Sequence, residues 1–325
     1  MGATPHDEEP RIRVGVSACL LGEEVRYDGG HKRDSFLLDT LGQYVEWVPV
    51  CPEVEVGMGV PRETIRLEGL AEAPRVVAPK SGTDHTERMQ VWSEKRVNAL
   101  AGEDLHGYVF KKGSPSCGLM RVRVYPPDTD IPTRDGQGVF ARAVVDRFPL
   151  LPVEEEGRLN NLGLRESFIE RVFVYYRWRK LLADNPTPQG LVDFHSAIQM
   201  SLLSHSPPHY RSLGRLVAQA ETVLWSELAD QYGFTLMAGL AIPSPPGKHY
   251  NVIMHLMEFL KDHLTPGDKA ELLEVVETYR KGLVPLIVPV TLLKHHLNRN
   301  DVPDWVHHQV YLNPYPQELM LRNHA

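Results

Sequence analysis

Cysteine is scarce in this sequence, with 3 residues among 325. No two of them are spaced as Cys-x-x-Cys, and an odd number cannot pair completely, which argues against a disulfide framework. Reduced thiols are typical of the cytoplasm, and we expect the protein to act there. The function of each thiol is then decided by its surroundings in the chain.

Long apolar runs and a strong positive charge are also missing. No stretch approaches the ~18–20 apolar residues that a membrane span needs, so we expect no membrane partner. Residues 1–10 are polar and acidic, without the apolar segment of a secretory signal, and we interpret them as a flexible N-terminus. The net charge of −7 does not favour a general nucleic-acid binder. We expect a monomer or a small homo-oligomer.

The first half of the chain alternates strand and helix patterns. Short apolar runs that end in turns predict strands at 11–20, 44–53 and 105–114, and helical spacing occupies 87–102 between them. This alternation predicts an α/β domain over residues 11–155, with a mostly parallel, Rossmann-like sheet.

The second half has a different pattern. The segment "PLLPVEEEGRLNN" (149–161) carries two prolines and an acidic triplet, which suit a linker better than a packed element. Beyond it, long segments of helical periodicity are separated by breaks rich in proline and glycine. We therefore expect residues 156–325 to form an all-α domain.

Each cysteine lies at, or just after, the carboxyl end of a predicted strand. Because these ends open onto one edge of a parallel sheet, Cys19, Cys51 and Cys117 are expected to converge there. Three thiolates suit an iron–sulfur cluster or zinc, with His31 as the candidate fourth zinc ligand. The alternative is that they are buried core residues, as cysteines often are.

Three segments carry a family resemblance. "SACLLGEEVRYDGGHK", "VPVCPEVEVGMGVPRE" and "KKGSPSCG" resemble the signature blocks of the thiouracil desulfidases, over roughly residues 11–155. Residues 165–321, with "LLSHSPPHYRSLGRLVA" and "YLNPYPQEL", resemble a helical YbgA-like domain that is often fused behind the first. Fused proteins of this type resemble the desulfidases that act on 4-thiouridine in tRNA.

The resemblance implies a specific chemistry. Cys19, Cys51 and Cys117 would ligate a 4Fe–4S cluster that leaves one iron free of protein ligands, and Glu53 and Ser114 match the catalytic carboxylate and hydroxyl. The reaction would be a non-redox hydrolysis that converts C=S to C=O in tRNA or RNA fragments and releases sulfide. Two alternatives are free thiouracil or a thionucleotide as substrate, and an iron–sulfur RNA-binding or redox-sensing protein without turnover.

Several polar residues close to the cysteines are candidates for contact with the substrate. They are Ser17, Arg26, Tyr27, Asp28, His31 and Ser116. Asp28 and the two glycines after it also have the composition of a plain turn. Arg62 and Arg66 suit either phosphate binding or pairing with the neighbouring Glu63 and Glu68.

RNA binding is expected in the helical domain. Basic residues are interleaved with aromatic ones in "RESFIERVFVYYRWRK" (165–180), and a second basic group follows at 204–215. The candidates are Arg165, Arg171, Arg177, Arg179, Lys180, His209, Arg211 and Arg215. Arginine binds phosphate and aromatic rings stack on unpaired bases, although aromatic residues at helical spacing more often face a core. We expect the apolar stripe to face inward and the arginine edge to face RNA.

Overall fold

The computed structural model describes residues 12–323. The chain divides into two compact units, one ending at Asn160 and the other beginning at Asn161. The predicted flexible N-terminus at 1–10 lies outside the described residues.

The first unit contains two sheets. Its strands are β1 (Ile12–Ser17), β2 (Val45–Val50), β3 (Arg66–Leu70), β4 (Ala73–Val77), β5 (Leu105–Phe110), β6 (Val122–Tyr125), β7 (Thr133–Gly136) and β8 (Val153–Glu155). One sheet has the order β2-β1-β5-β8 with every pair parallel. The other has the order β4-β3-β6-β7 and is mixed. β5 is buried along its whole length, as expected of a central parallel strand.

Three α-helices accompany these sheets: α1 (Pro52–Glu55), α2 (Thr86–Leu100) and α3 (Val139–Arg147). The segment with helical spacing at 36–44 forms a π turn over Phe36–Thr40 and a 3₁₀ turn over Leu41–Gln43. The predicted α/β domain with a mainly parallel sheet is confirmed.

The linker prediction for 149–161 is wrong in its centre. Residues 153–155 form β8, which pairs in parallel with β5. Its two glutamates are buried, and Glu155 Oε1 accepts hydrogen bonds from the backbone nitrogens of Leu119 (2.9 Å) and Met120 (3.3 Å). The loop after the third cysteine thus satisfies Glu155, and Glu154 Oε1 accepts from Arg158 Nε at 2.7 Å, so both acidic side chains can be accommodated inside.

The second unit is helical, as predicted, and residues 161–323 contain no strand. Its helices are α4 (Leu162–Asp184), α5 (Pro188–His205), α6 (Pro207–Val217), α7 (Trp225–Leu240), α8 (Pro246–Met257), α9 (Pro266–Arg280), α10 (Ile287–Arg299) and α11 (Asp304–His307). Proline occupies the first turn of several of them. Backbone N–H groups in the first turn have no partner within the helix, so the missing N–H of proline costs no hydrogen bond there. Within residues 12–323, no helix is both long and apolar enough to cross a membrane.

Candidate active site

The three cysteines meet at one edge of the parallel sheet. Cys19 follows β1 in a short 3₁₀ turn, Cys51 follows β2 and precedes α1, and Cys117 lies in the loop after β5. All three are free thiols that line one cavity of about 350 Å³. The expected convergence arises because β2, β1 and β5 are adjacent parallel strands.

Burial makes these thiols poor acids. It raises the pKa of Cys19 to about 11, although the charge of Lys111 opposes the shift. Burial also raises the pKa of Cys51, where the charge of Glu53 adds to the shift, and the pKa of Cys117, where the neighbouring Cys51 and Cys19 add to it. A bound metal centre is the usual means of converting such thiols to thiolates, because its positive charge stabilises the deprotonated sulfur.

The loop around Cys117 owes its shape to small residues. Gly113 has φ +70°, and Ser114 Oγ accepts hydrogen bonds from the backbone nitrogens of Ser116 (3.2 Å) and Cys117 (3.1 Å). A Cβ at Gly118 would lie 2.8 Å from the carbonyl oxygen of Ser114. This close packing explains the run of Gly, Ser and Pro and fixes the direction of the thiol.

Glu53 is held firmly at the cavity. Its Oε2 accepts two hydrogen bonds from Arg62, from Nε at 2.9 Å and from Nη2 at 2.7 Å. Its Oε1 accepts the hydroxyl of Ser116 at 2.7 Å. A carboxylate has about four lone-pair sites, so Oε1 retains one that can accept a proton from water.

The two serines of the third cysteine block differ in their contacts. Ser116, expected to contact the substrate, bonds directly to Glu53. Ser114, expected to supply the catalytic hydroxyl, lies one step farther along, with its Oγ 2.9 Å from that of Ser116. Both line the cavity, so a chain of hydroxyls leads from Ser114 to the carboxylate.

The residues of the first cysteine block separate into two groups. Ser17, Arg26 and Tyr27 line the cavity, whereas Asp28 and His31 are not among its lining residues. Asp28 Oδ1 accepts from Gly30 N at 3.2 Å, which is the turn geometry, and exposed His31 accepts from Arg33 N.

Positive side chains dominate the cavity. They are Arg26, Lys32, Arg62, Lys111 and Lys112, and Glu53 is the one carboxylate among the lining residues. Sequence reasoning missed the lysines, although they flank the cysteine blocks directly. It also missed the partner of Arg62, which is Glu53 and not Glu63, while Arg66 does pair with Glu68 at 2.8 Å.

The donor set fits an iron–sulfur cluster. Within residues 12–323, no three His, Cys, Asp or Glu side chains are arranged to share one metal ion. A 4Fe–4S cluster does not need that arrangement, because each thiolate binds a different iron atom. Two buried thiols and one half-buried thiol line one cavity together with several cationic side chains, which matches the sulfur chemistry and the negative charge of such a cluster.

The predicted RNA-binding residues of the helical unit differ in exposure. Lys180, Arg211 and Arg215 are exposed. Arg177 is held by a hydrogen bond to the carbonyl of Pro314 at 2.8 Å. Arg165, Arg171, Arg179 and His209 are half-buried and each has at least one interaction partner, including Ser167 O for Arg171 and Ser206 Oγ for His209.

Most aromatic residues of the same helix face inward, whereas Tyr176 is half-buried. Tyr175 and Trp178 are buried, and the Trp178 ring stacks on Tyr232 with centroids 5.2 Å apart. Tyr175 and Trp178 therefore cannot stack on RNA bases beside the exposed basic residues.

Comparison with known proteins agrees with this architecture. Residues 14–156 match the family described as 2-thiouracil desulfurase, and residues 199–316 match a protein family of unknown function, DUF1722. YbgA of Escherichia coli K12, itself uncharacterised, is 31% identical over 162 residues, which cover 49% of this chain and 94% of YbgA. YbbK of Bacillus subtilis 168 is 29% identical over 108 residues, or 32% of this chain and 71% of YbbK.

A solved structure is also similar. It is the [4Fe–4S]-dependent thiouracil desulfidase TudS, with 33% identity, coverage of 48% of this chain and 99% of that chain, and a TM-score of 0.39. The chain thus belongs to the YbgA family, with a 2-thiouracil desulfurase domain in its N-terminal half and a DUF1722 domain in its C-terminal half. The resemblance inferred from the three cysteine blocks is confirmed.

Proposed function

We propose that this protein is an iron–sulfur-dependent desulfidase that converts 4-thiouridine in tRNA to uridine and releases sulfide. The observation that carries the proposal is the convergence of three thiols with a firmly held carboxylate in one cavity. The match of residues 14–156 to the family described as 2-thiouracil desulfurase supports the same reaction class.

Cys19, Cys51 and Cys117 are the residues that would hold the cluster. When bound, a cluster with one iron free of protein ligands supplies a Lewis acid for the sulfur of the thiocarbonyl. Water then replaces sulfur at the carbon: C=S and H₂O become C=O and H₂S. No electron is transferred overall, so the protein needs no redox partner.

Glu53 and its hydrogen-bond partners control the proton transfer. Glu53 Oε1 accepts a proton from the attacking water, since Arg62 holds the other oxygen and keeps the carboxylate aimed into the cavity. Ser116 donates to the same Oε1 and lies 2.9 Å from the hydroxyl of Ser114, so the two serines hold that oxygen in place. The proton that Glu53 takes is returned to the departing sulfur, which leaves as H₂S. Lys32 and Lys112 line the cavity outside the Glu53–Arg62 and Glu156–Lys111 pairs, and their charges favour a substrate that carries phosphate.

The helical unit supports RNA as the substrate through α6. Arg211 and Arg215 are four residues apart and exposed, while Leu213 between them is buried, so the two cations share one outward face. Such a face binds phosphates without regard to sequence. The cavity volume of about 350 Å³ also admits a free base or nucleotide, which keeps free thiouracil as the second candidate substrate.

The decisive assay is anaerobic. Protein reconstituted with iron and sulfide receives tRNA containing 4-thiouridine, and loss of thiocarbonyl absorbance is followed together with sulfide release. We expect many turnovers with wild type and none with Cys117→Ser, which should also lose most of its iron. If thiouracil is desulfurated and tRNA is not, the free base is the substrate. An intact cluster without turnover of either compound would support the sensor alternative.

A further inference from the structure

The loop at 111–120 joins β5 to β6 and carries Ser114, Ser116 and Cys117. Its residues form neither helix nor strand, so no regular ladder of backbone hydrogen bonds fixes their positions. The proposed chemistry nevertheless needs a thiol and hydroxyls that stay in place. The bonds that hold this loop come from other segments, and several of them end on two consecutive glutamates at the carboxyl end of β8.

Glu155 holds the C-terminal end of the loop. Its Oε1 accepts hydrogen bonds from the backbone nitrogens of Leu119 (2.9 Å) and Met120 (3.3 Å), which follow Cys117 closely in the chain. The next residue, Arg121, has φ +55°, in the left-handed region that a residue with a Cβ rarely adopts. The chain therefore turns sharply just after the two amides that Glu155 binds, and the carboxylate stabilises the residues before that turn.

Glu156 holds the N-terminal end of the loop. Its Oε2 accepts from the backbone nitrogen of Lys112 at 2.7 Å, and its Oε1 pairs with the ammonium group of Lys111, which lines the cavity. The backbone nitrogen of Lys111 donates to Ser17 Oγ at 2.9 Å. The direction in which the loop leaves β5 is thus set by side chains at the ends of β8 and β1.

The middle of the loop is bound through its carbonyl groups. At the first turn of α3, Val139 N donates to Pro115 O at 3.2 Å, and Phe140 N donates to Ser116 O at 3.0 Å. The helix therefore binds acceptors of the loop, whereas the two glutamates bind its donors. Helix amides cannot accept hydrogen bonds, so the amides at both ends of the loop need an acceptor such as a carboxylate.

Glu155 is costly to bury. It is 2% exposed. Burial raises its pKa, the charges of Glu156 and Glu154 raise it further, and the hydrogen bonds from Met120 and Leu119 oppose the rise. A well-packed apolar side chain would be accommodated in a core at lower cost. The carboxylate therefore serves the position of the loop rather than the stability of β8.

We propose that Glu155 and Glu156 are positioning residues for the cysteine of this loop. Held at both ends, the loop directs Cys117 to the cluster site and keeps Ser116 against Glu53. Neither glutamate lines the cavity, so both act through the loop, as groups that orient a metal ligand commonly do. The inference rests on the proposed iron–sulfur cluster, so its test includes a measurement on the protein without a cluster.

A purely structural role competes with this proposal. In that case the two glutamates add only to the stability of the first unit. Removing either one would then affect all three cysteines alike.

Glu155→Ala is the informative substitution, because it removes the acceptor of two loop amides. Glu155→Gln removes the charge but keeps an oxygen acceptor, so it separates hydrogen bonding from charge. Glu154→Ala is the matched control. Glu154 is 5% exposed, its Oε1 accepts from Arg158 Nε and Glu155 N, and within residues 12–323 it bonds to no group of the loop. Glu156→Ala tests the other end of the loop at a half-buried residue, should Glu155→Ala fail to fold.

The first measurement uses the full chain without a cluster. Iodoacetamide labels the cysteines, and mass spectrometry of peptides gives the rate at Cys117 relative to Cys51, which has no contact with these glutamates. Cys117 is 6% exposed, so it reacts when the loop opens. We expect the rate ratio to rise about tenfold in Glu155→Ala, since two hydrogen bonds to a charged group are lost, and by less in Glu156→Ala.

The two comparison variants should keep the ratio near that of wild type. We expect Glu155→Gln and Glu154→Ala to stay within about threefold of it, because each leaves the loop amides with an oxygen acceptor. Thermal unfolding of the same preparations shows how much stability each substitution removes.

The second measurement uses protein reconstituted with iron and sulfide. The rate at which iron passes to a chelator should be about tenfold higher in Glu155→Ala than in wild type or Glu154→Ala, the lower end of the loss caused by removing a group that orients a metal ligand. Desulfuration is not needed for this readout.

An unchanged rate ratio in both Glu155→Ala and Glu156→Ala would overturn the proposal, as would an equal rise in Glu154→Ala. If the ratio rises but no variant binds iron, wild type included, the glutamates position the loop and the cluster proposal fails. If iron is lost faster while the ratio stays unchanged, the cluster proposal stands and the positioning role is contradicted.

Discussion

Each unit of the molecule contains a carboxylate–arginine pair, and the two pairs have different surroundings. Glu53 and Arg62 lie at the wall of an open cavity, where Glu53 Oε1 accepts the Ser116 hydroxyl. Glu166 and Arg322 lie in the helical core, where Glu166 Oε1 accepts from both Arg322 and Tyr315. In the first pair Glu53 Oε1 accepts one hydrogen bond and keeps a lone pair beside the cavity, whereas in the second Glu166 Oε1 accepts two hydrogen bonds and the pair is buried in the core.

The difference shows what distinguishes a reactive carboxylate from a structural one. Both glutamates are ion-paired and mostly shielded, with side-chain exposures of 15% and 8%. Pairing and burial alone therefore do not identify a catalytic group. Glu53 is set apart by its place at a cavity that the three thiols also line, because a substrate can approach it there.

The largest expected effect tests Glu53. Glu53→Gln removes the proton acceptor but keeps the shape, so we expect turnover to fall by about 10²–10⁴-fold, the usual contribution of a general base. Iron content and tRNA affinity should stay at the wild-type level. Steady-state desulfuration and iron determination on one preparation check this, with exposed Glu94→Gln as the control. Wild-type rates in Glu53→Gln would remove Glu53 from the mechanism.

The next effect concerns the buried pair of Glu170 and His205 in the helical core, where the nitrogen–oxygen distance is 3.2 Å. Burial alone would raise the pKa of Glu170, but the hydrogen bond and charge of His205 hold it at about 2. Burial would lower the pKa of His205, but the hydrogen bond and charge of Glu170 raise it.

The pair therefore stabilises the fold most between the ordinary values of the two groups, 4.5 for Glu170 and 6.5 for His205. Its contribution disappears as pH rises through the raised pKa of His205, and as pH falls through that of Glu170. His205→Asn should lower the opening free energy of α5 amides by about 3–5 kcal/mol near pH 6 and remove the alkaline loss. Hydrogen exchange of the α5 amides from pH 5 to 9 measures this effect, with exposed His263→Asn as the control. Identical pH profiles for wild type and His205→Asn would contradict the stabilising role of the pair.

Sequence reasoning located the cysteines correctly for a physical reason. A strand pattern followed by a turn fixes where a parallel strand ends, and adjacent parallel strands bring their ends together whatever their separation in the chain. The hydrogen bonds of Glu53 could not be predicted from the strand pattern. Arg62 has Glu63 as its neighbour in the chain, and only the turn after α1 brings it to Glu53 instead.

The strand β8 and the burial of the α4 aromatic residues could not be predicted from the sequence, for related reasons. β8 has three residues, two of them acidic, and its burial depends on donors from the loop at 119–120. The aromatic residues of α4 carry the composition of a stacking surface, but helical periodicity turns Tyr175 and Trp178 into the core. In both cases the deciding contact comes from a distant segment.

A smaller effect tests Arg62, which positions Glu53 without being placed against the substrate. Arg62→Lys keeps the charge but cannot reproduce two hydrogen bonds to one carboxylate oxygen, so we expect kcat to fall by about 10- to 100-fold, as for other residues that orient a catalytic group. KM and iron content should change little. Arg62→Gln should have a lower kcat than Arg62→Lys. Equal kcat values for wild type and Arg62→Lys would contradict the positioning role.

The smallest expected effect separates exposed from buried arginines in the helical unit. Replacing both Arg211 and Arg215 with Gln should weaken tRNA binding and lower the slope of log affinity against log salt by about 1 for each lost phosphate contact. Arg177→Gln is the matched control, since Arg177 donates to Pro314 O and its loss should reduce thermal stability without changing that slope. If the double variant kept the wild-type slope, α6 would not be the RNA-binding face, and the desulfidase unit would have to bind its substrate through its own cationic cavity.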